Sequence, residues 1–300
     1  MKFGLRLPGA GPYAGPDAIE AFATKAEELG FDSLWMTDHV ALPVDIASRY
    51  PYREDGKFFW PPETPYLDSI MTLAWASACT ERIRVGTSVL IAGWHDPLTT
   101  AKALASLDVL NRGRTTVAVG TGWMREQFEI FGVPFETRGR RTTEFITLLK
   151  HLWRDDLIDF HGDFYDYHGF KFYPKPAQPA SIPVWCGGKS DAVLRRVAAV
   201  ADGWHPLYIG PDELADKLRT LEGYLAGHGR SMSDIALSAR PVTQAELDEA
   251  TVRRYADLGV TLLIADTSFD HDSLRGVLDD LDKLAGELMP FAEGNEERPC

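Results

Sequence analysis

Cysteine is scarce in this chain: Cys79, Cys186 and Cys300 are an odd number at unrelated spacings. No Cys-x-x-Cys pair is present, so neither a thiolate zinc site nor a redox dithiol is expected, and the thiols suit a reducing compartment. There is also no basic run and no interleaving of Lys or Arg with aromatics, and the formal net charge is -13. Nucleic acid and anionic membrane surfaces are therefore disfavoured as partners. No apolar stretch approaches the roughly 20 residues needed to span a bilayer. The strand-like Phe3 to Leu7 arrives too early to leave room for a signal peptide, and a cytoplasmic location is expected. Metal-ligand spacing is missing as well. His39, His95, His161, His168 and His205 are scattered, with neither His-x-His nor His-Glu-x-x-His, so no metal centre is expected; His95, His161 and His168 read as surface or packing residues. A Gly-x-Ser-x-Gly elbow is absent too.

What is present is a rhythm. With 45% hydrophobic and 25% charged residues, a chain of 300 residues can bury a large core. Short apolar strands are predicted at Phe3 to Leu7, Leu34 to Met36, Arg84 to Ile91, Thr115 to Val119, Val184 to Cys186, Asp202 to Pro206, Ile235 to Ala239 and Thr261 to Ala265. Between them lie stretches with apolar residues at helical spacing, such as Ile19, Phe22, Ala23 and Ala26. Eight such alternations without a break in composition predict an α/β fold, a single (β/α)8 TIM barrel over residues 1 to 288, followed by a disordered tail from 289 to 300. A doubly wound sheet would leave the last two units unexplained. Two insertions interrupt the barrel. One, after strand 2, carries Tyr50, Tyr52, Phe58, Phe59 and Trp60 and reads equally as a lid or as an aromatic side-core; the other, before strand 5, covers residues 155 to 182 and reads as an added hairpin at the rim.

In a parallel barrel the carboxyl ends of the strands share one rim, where chemistry is done. Asp38-His39, Ser88-Val89, Gly120-Thr121-Gly122, Gly187-Gly188 and His205 all fall there. Gly187-Gly-Lys-Ser190 has the clearest mechanism, because two glycines admit a phosphate to the positive end of the next helix and Lys189 adds charge. It is not a Walker loop, and a tight turn capped by Ser190 is the simpler alternative. Gly9-x-Gly11-x-x-x-Gly15 is a weak dinucleotide signature, since Pro12 and Pro16 remove backbone donors. Asp38 and His39 taken alone would be an ordinary loop pair.

The ordered set of Gly-Phe-Asp-Ser-Leu-Trp-Met-Thr-Asp-His (30 to 39), Val-Gly-Thr-Ser-Val-Leu (85 to 90), His-Asp-Pro-Leu (95 to 98), Val-Gly-Thr-Gly-Trp (119 to 123), Gly-Gly-Lys-Ser (187 to 190) and Ala-Asp-Gly-Trp (201 to 204) resembles the luciferase-like monooxygenase superfamily, in particular its branch that uses the deazaflavin coenzyme F420. The resemblance runs over about residues 1 to 285. It implies a homodimer, with F420 or alternatively FMN held at the rim, a small-molecule substrate and a partner enzyme that reduces the cofactor. It further implies a non-proline cis peptide at Ser88-Val89 behind the ring, with Thr121 and Gly122 at the ring edge, Gly187, Gly188, Lys189 and Ser190 around the phosphate, and Asp38 near the polar side of the ring. His39 takes the place of the base of sugar-oxidising relatives, and Trp60, Trp123 and His205 are expected to meet substrate. Trp123 stands where those relatives carry an acid, which points to an apolar or aromatic substrate rather than a sugar phosphate. Three functions follow as expectations: F420-dependent hydride transfer, an FMN-dependent two-component monooxygenase, or a non-catalytic flavin- or F420-binding protein.

Overall fold

A computed structural model describes residues 1–241 and 247–292. The barrel strands are β1 (Lys2–Arg6), β2 (Ser33–Met36), β3 (Arg84–Ile91), β4 (Thr115–Gly120), β7 (Val184–Gly187), β8 (Gly203–His205), β9 (Ala236–Ala239) and β10 (Leu262–Ala265). They close in the order β1-β10-β9-β8-β7-β4-β3-β2, every pairing parallel. This is the expected (β/α)8 barrel. The remaining strands, β5 (Ile158–His161) and β6 (Asp166–Phe170), form the antiparallel hairpin of the second insertion. Glu144 braces its turn by accepting from the backbone N–H groups of Asp163, Phe164 and Tyr165 at 2.9, 2.9 and 2.8 Å.

Capping residues at the βα loops start the helices where the rim needs them. Asp68 opens α2 (Ser69–Ala78) by accepting from Met71 N–H, Asp96 opens α3 (Pro97–Leu110) from Thr99 N–H, and Ser190 opens α6 (Asp191–Val200) from Val193 N–H. Each such cap is worth ~1 kcal/mol. Between α6 and the end of the chain come α7 (Pro211–Gly227), α8 (Glu249–Asp257) and α9 (Leu274–Leu288). The expected disordered tail begins differently: Met289–Phe291 form a 3₁₀ turn, and Met289, Phe291 and Ala292 pack on the core because their side chains are apolar. Residues 293 to 300 lie outside the described residues. Among the described residues no helix is long and apolar enough to cross a membrane.

The main core lies between strands and helices, and a second, smaller one fills the barrel itself. There Trp35 stacks on Trp185 (ring centroids 5.5 Å apart, 26° between planes) and on His205 (5.2 Å, 14°). Glycine in the surrounding strands makes this slab possible. A Cβ at Gly4 or Gly86 would come within 2.7 or 2.6 Å of the Trp35 ring, and one at Gly203 within 2.4 Å of Trp185. Gly86→Ala is accordingly expected to cost about 1–3 kcal/mol of stability, because Trp35 has no free space to retreat into. Urea unfolding of the variant checks this, and an unchanged midpoint with unchanged slope would refute the slab as a packing constraint.

Candidate active site

Above the slab the strand ends surround a cavity of about 500 Å³, within the size range of small-molecule sites. Its floor is the carboxyl end of β3. The Ser88-Val89 peptide is cis, and the register of β3 against β4 shifts between Ser88 and Leu90. Ser88 is tied downward: its hydroxyl lies 2.9 Å from His205 Nε2, and His205 Nδ1 lies 2.7 Å from Ser238 Oγ. Ser238 donates to the Trp204 carbonyl, so it accepts from Nδ1–H, which leaves Nε2 to accept from Ser88. Burial, helped by nearby Arg240, pushes His205 down to about 3, which keeps this imidazole neutral. His205 was expected to meet substrate. It is 0% exposed and sits beneath the floor, because it ends the short strand β8 with its ring turned into the barrel. Its role is to hold Ser88.

Val89 projects the other way. A Cβ at Gly120 would fall 2.4 Å from one Val89 methyl and a Cβ at Gly187 2.3 Å from the other. Only glycine at both positions, at the ends of β4 and β7, lets this side chain stand at the centre of the mouth as an apolar shelf. Beside it, Thr121, Gly122, Gly187, Gly188, Lys189 and Ser190 all line the cavity. Gly188 has φ +103°, which strains any other residue, and delivers the chain to the start of α6, where Ser190 caps the Val193 N–H and the Asp191 and Ala192 N–H groups have no protein acceptor among the described residues. Lys189 was expected to add charge to a phosphate site. Its Nζ is taken by Glu213 Oε2 at 2.8 Å and the Tyr208 carbonyl at 3.0 Å, so most of that charge is neutralised locally.

Asp38 and His39 come together at the end of β2 but face different partners. Asp38 is buried and its Oδ2 accepts from Ile91 N–H at 2.9 Å and lies 2.8 Å from His95 Nε2. His95, expected to be a surface or packing residue, is thus part of the site: the loop between β3 and α3 folds it back onto Asp38. Burial works against its charge, but the hydrogen bond and attraction of Asp38 prevail and raise it above the ordinary 6.5. His39 lines the cavity half-buried, with Nδ1 at 3.0–3.2 Å from the Gln127 amide, itself held by the Ala41 carbonyl at 2.5 Å. Burial lowers His39 below 6.5 despite Asp38 and Gln127. Asp38 thus favours protonation of one neighbouring imidazole while burial favours the neutral form of the other, an arrangement suited to acid-base work. Sequence reasoning missed Gln127 along with His95, since each reaches its partner only through the fold.

The first insertion supplies the outer wall. Tyr50, Phe58 and Trp123 meet with ring centroids 5.0 to 5.5 Å apart, Phe59 and Trp60 continue the layer, and all five line the cavity. Glu126 anchors the segment to α4 (Arg125–Ile130) by accepting from the N–H groups of Ala47 and Ser48 at 2.8 Å each. Away from the cavity, Asp159, His161 and His168 cluster on the exposed face of the β5–β6 hairpin, a group with metal-ligating atoms that the spacing rules did not reveal. There each imidazole also faces an aspartate across the strands, an ion-pair pattern that accounts for the cluster.

Comparison with known proteins gives a coherent result. The luciferase-like monooxygenase family model matches residues 1–287. An uncharacterized protein of Mycobacterium tuberculosis (strain ATCC 25618 / H37Rv) is 36% identical over 242 residues, 81% of this chain and 82% of that one. An F420-dependent glucose-6-phosphate dehydrogenase of Kineococcus radiotolerans is 34% identical over 194 residues, 63% of this chain and 52% of its own length. Among solved structures, the monooxygenase RslO1 from Streptomyces bottropensis has a TM-score of 0.76 at 17% identity, covering 97% of this chain and 99% of that one. An F420-dependent secondary alcohol dehydrogenase in complex with an F420-acetone adduct has a TM-score of 0.73 at 16% identity, covering 94% and 97%. At these identities the structures establish the shared barrel.

The opposite shifts of the two imidazoles can be separated by pH. Because the folded-state value of His95 is raised, the stability it contributes is complete below its unfolded value of 6.5 and disappears as pH rises through the raised value. The stability advantage of the wild type over His95→Gln is expected to be largest near pH ~6 and to shrink towards pH ~9. Chemical unfolding across that range reads it; an advantage that grows with pH would contradict the charged His95–Asp38 pair.

Proposed function

The chain belongs to the luciferase-like monooxygenase family, and from that premise we propose that it is an oxidoreductase that moves a hydride between coenzyme F420 and a small organic substrate, with His39 as the proton acceptor or donor. The observation that carries this reading is the shape of the floor. Val89, framed by Gly120 and Gly187, forms an apolar shelf for one face of a flat ring system. Gly188 and the open end of α6 lie at one side of that shelf, where a phosphate belongs. The residues present therefore fit a tricyclic cofactor with a phosphorylated side chain. F420 is favoured over FMN by the F420-dependent dehydrogenase among the relatives.

A bound deazaflavin supplies a hydride carrier that reacts poorly with oxygen, and the protein supplies position, dryness and proton transfer. Val89 and Gly122 would support the ring. Gly188 and the first turn of α6 would hold the phosphate. Gln127 fixes the His39 ring through Nδ1, which leaves Nε2 for the cavity that the ring lines. A neutral His39 can take the proton of a substrate hydroxyl as its hydride leaves, or return it in the reverse direction. Tyr50, Phe58 and Trp123 exclude water from that step and offer an apolar surface to the substrate.

His39→Asn is expected to lower kcat by ~10²–10⁴-fold while leaving cofactor affinity nearly unchanged. In the direction where His39 accepts a proton, wild-type turnover should fall on the acid side of 6.5, where protonation removes the acceptor, and lose that dependence in the variant. Anaerobic turnover followed by F420 absorbance with a panel of alcohols tests both. An unchanged rate in His39→Asn would refute the assigned role.

A further inference from the structure

The rim divides in two. Strands β2, β3, β4 and β7 carry the shelf, His39 and the phosphate end. Across the mouth, β9, β10 and β1 present a different set: Arg240 just after β9, Asp266 just after β10, and Arg6 at the end of β1, all three lining the cavity. Arg240 binds Asp266 in bidentate fashion, Nε to Oδ2 at 2.8 Å and Nη2 to Oδ1 at 2.7 Å, and Arg6 adds Nε to Oδ1 at 2.7 Å. Two guanidinium groups against one carboxylate leave a net positive charge on this side of the mouth, in a chain whose net charge is -13. Arg240 is 5% exposed, so water does little to screen it.

The donors are held as well as charged. The Tyr208 ring lies 4.8 Å from the Arg240 guanidinium and the Phe269 ring 4.6 Å from that of Arg6, so each fork is steadied on an aromatic face. Arg240 Nη1 and both Nη groups of Arg6 have no protein acceptor among the described residues. A structural brace would be complete with Arg240 and Asp266 alone; Arg6 makes the group cationic. Guanidinium forks pair best with planar oxyanions.

We propose that Arg6, Asp266 and Arg240 form a clamp for a carboxylate on the substrate, so that the substrate class is an apolar or aromatic organic acid. Its carboxylate lies at β9, β10 and β1, and its body lies against Phe58 and Trp123. This rests on reading the same cavity as the substrate site. The apolar character expected from Trp123 is kept, with a charged end added.

The test uses the full chain and needs no cofactor. 3-Phenylpropanoate, its primary amide and phenyl phosphate are titrated by calorimetry into the wild type, Arg6→Met and Arg6→Lys, each checked for an unchanged thermal unfolding profile. The carboxylate should bind about tenfold or more tightly than the amide. Arg6→Met should abolish that preference while Arg6→Lys keeps part of it, and the amide should bind all three alike. Equal binding of acid and amide by the wild type, a preference that survives Arg6→Met, or capture of phenyl phosphate but not the carboxylate would each overturn the proposal. F420 titrated into the same preparations should be indifferent to Arg6→Met. If F420 binds none of them, the cofactor reading fails and the acid–amide comparison still judges the clamp; if Arg6→Met weakens F420 alone, the anion belongs to the cofactor and the clamp proposal is wrong.

Discussion

The site depends on how the inside of the barrel is filled. Eight short strands enclose a space that Trp35, Trp185 and His205 occupy as one stacked slab, and glycines at positions 4, 86 and 203 give up their side chains to admit it. The slab sets the height of the floor. It also holds the His205 ring in place, Ser238 fixes the tautomer of that ring, and Nε2 in turn holds the Ser88 hydroxyl, so the chain at the end of β3 has a fixed orientation and Val89 is the side chain that rises into the mouth. Rigid elements below allow loops above to carry chemistry.

Electrostatics then differentiates groups that lie close together. Three imidazoles belong to the site or its foundation, and each has a different environment. His205 is neutral because it is wholly buried between hydroxyls, Asp38 favours the charged form of His95, and burial against Phe58 and Tyr66 favours the neutral form of His39. The result is an imidazole favoured neutral beside an Asp38–His95 pair, a combination that suits the proton transfer proposed for His39.

The barrel, its insertions and the strand-end positions were legible in the chain because each depends on local pattern: apolar runs, a cap such as Ser190, and the glycines at 187 and 188. Partnership between distant segments was not. His95 reaches Asp38 across 57 positions, and Arg6 reaches Asp266 across 260, so no spacing rule could pair them. His205 was placed at the right rim but on the wrong side of the floor, since a strand end alone does not say whether a ring points up into the mouth or down into the barrel. Lys189 was seen as a free charge because Glu213 lies on α7, beyond the next helix and strand.

The two halves of the rim give the cavity its chemical logic, with a shelf and helix end on one side and a cationic clamp on the other. The central claim concerns the first half: that it is built for F420. Fluorescence titration of the purified protein with F420 and, separately, FMN tests this most directly. Saturable binding of F420, tighter than FMN and weakened by Gly188→Val, is the result expected. Tighter binding of FMN, or binding of neither, would contradict it.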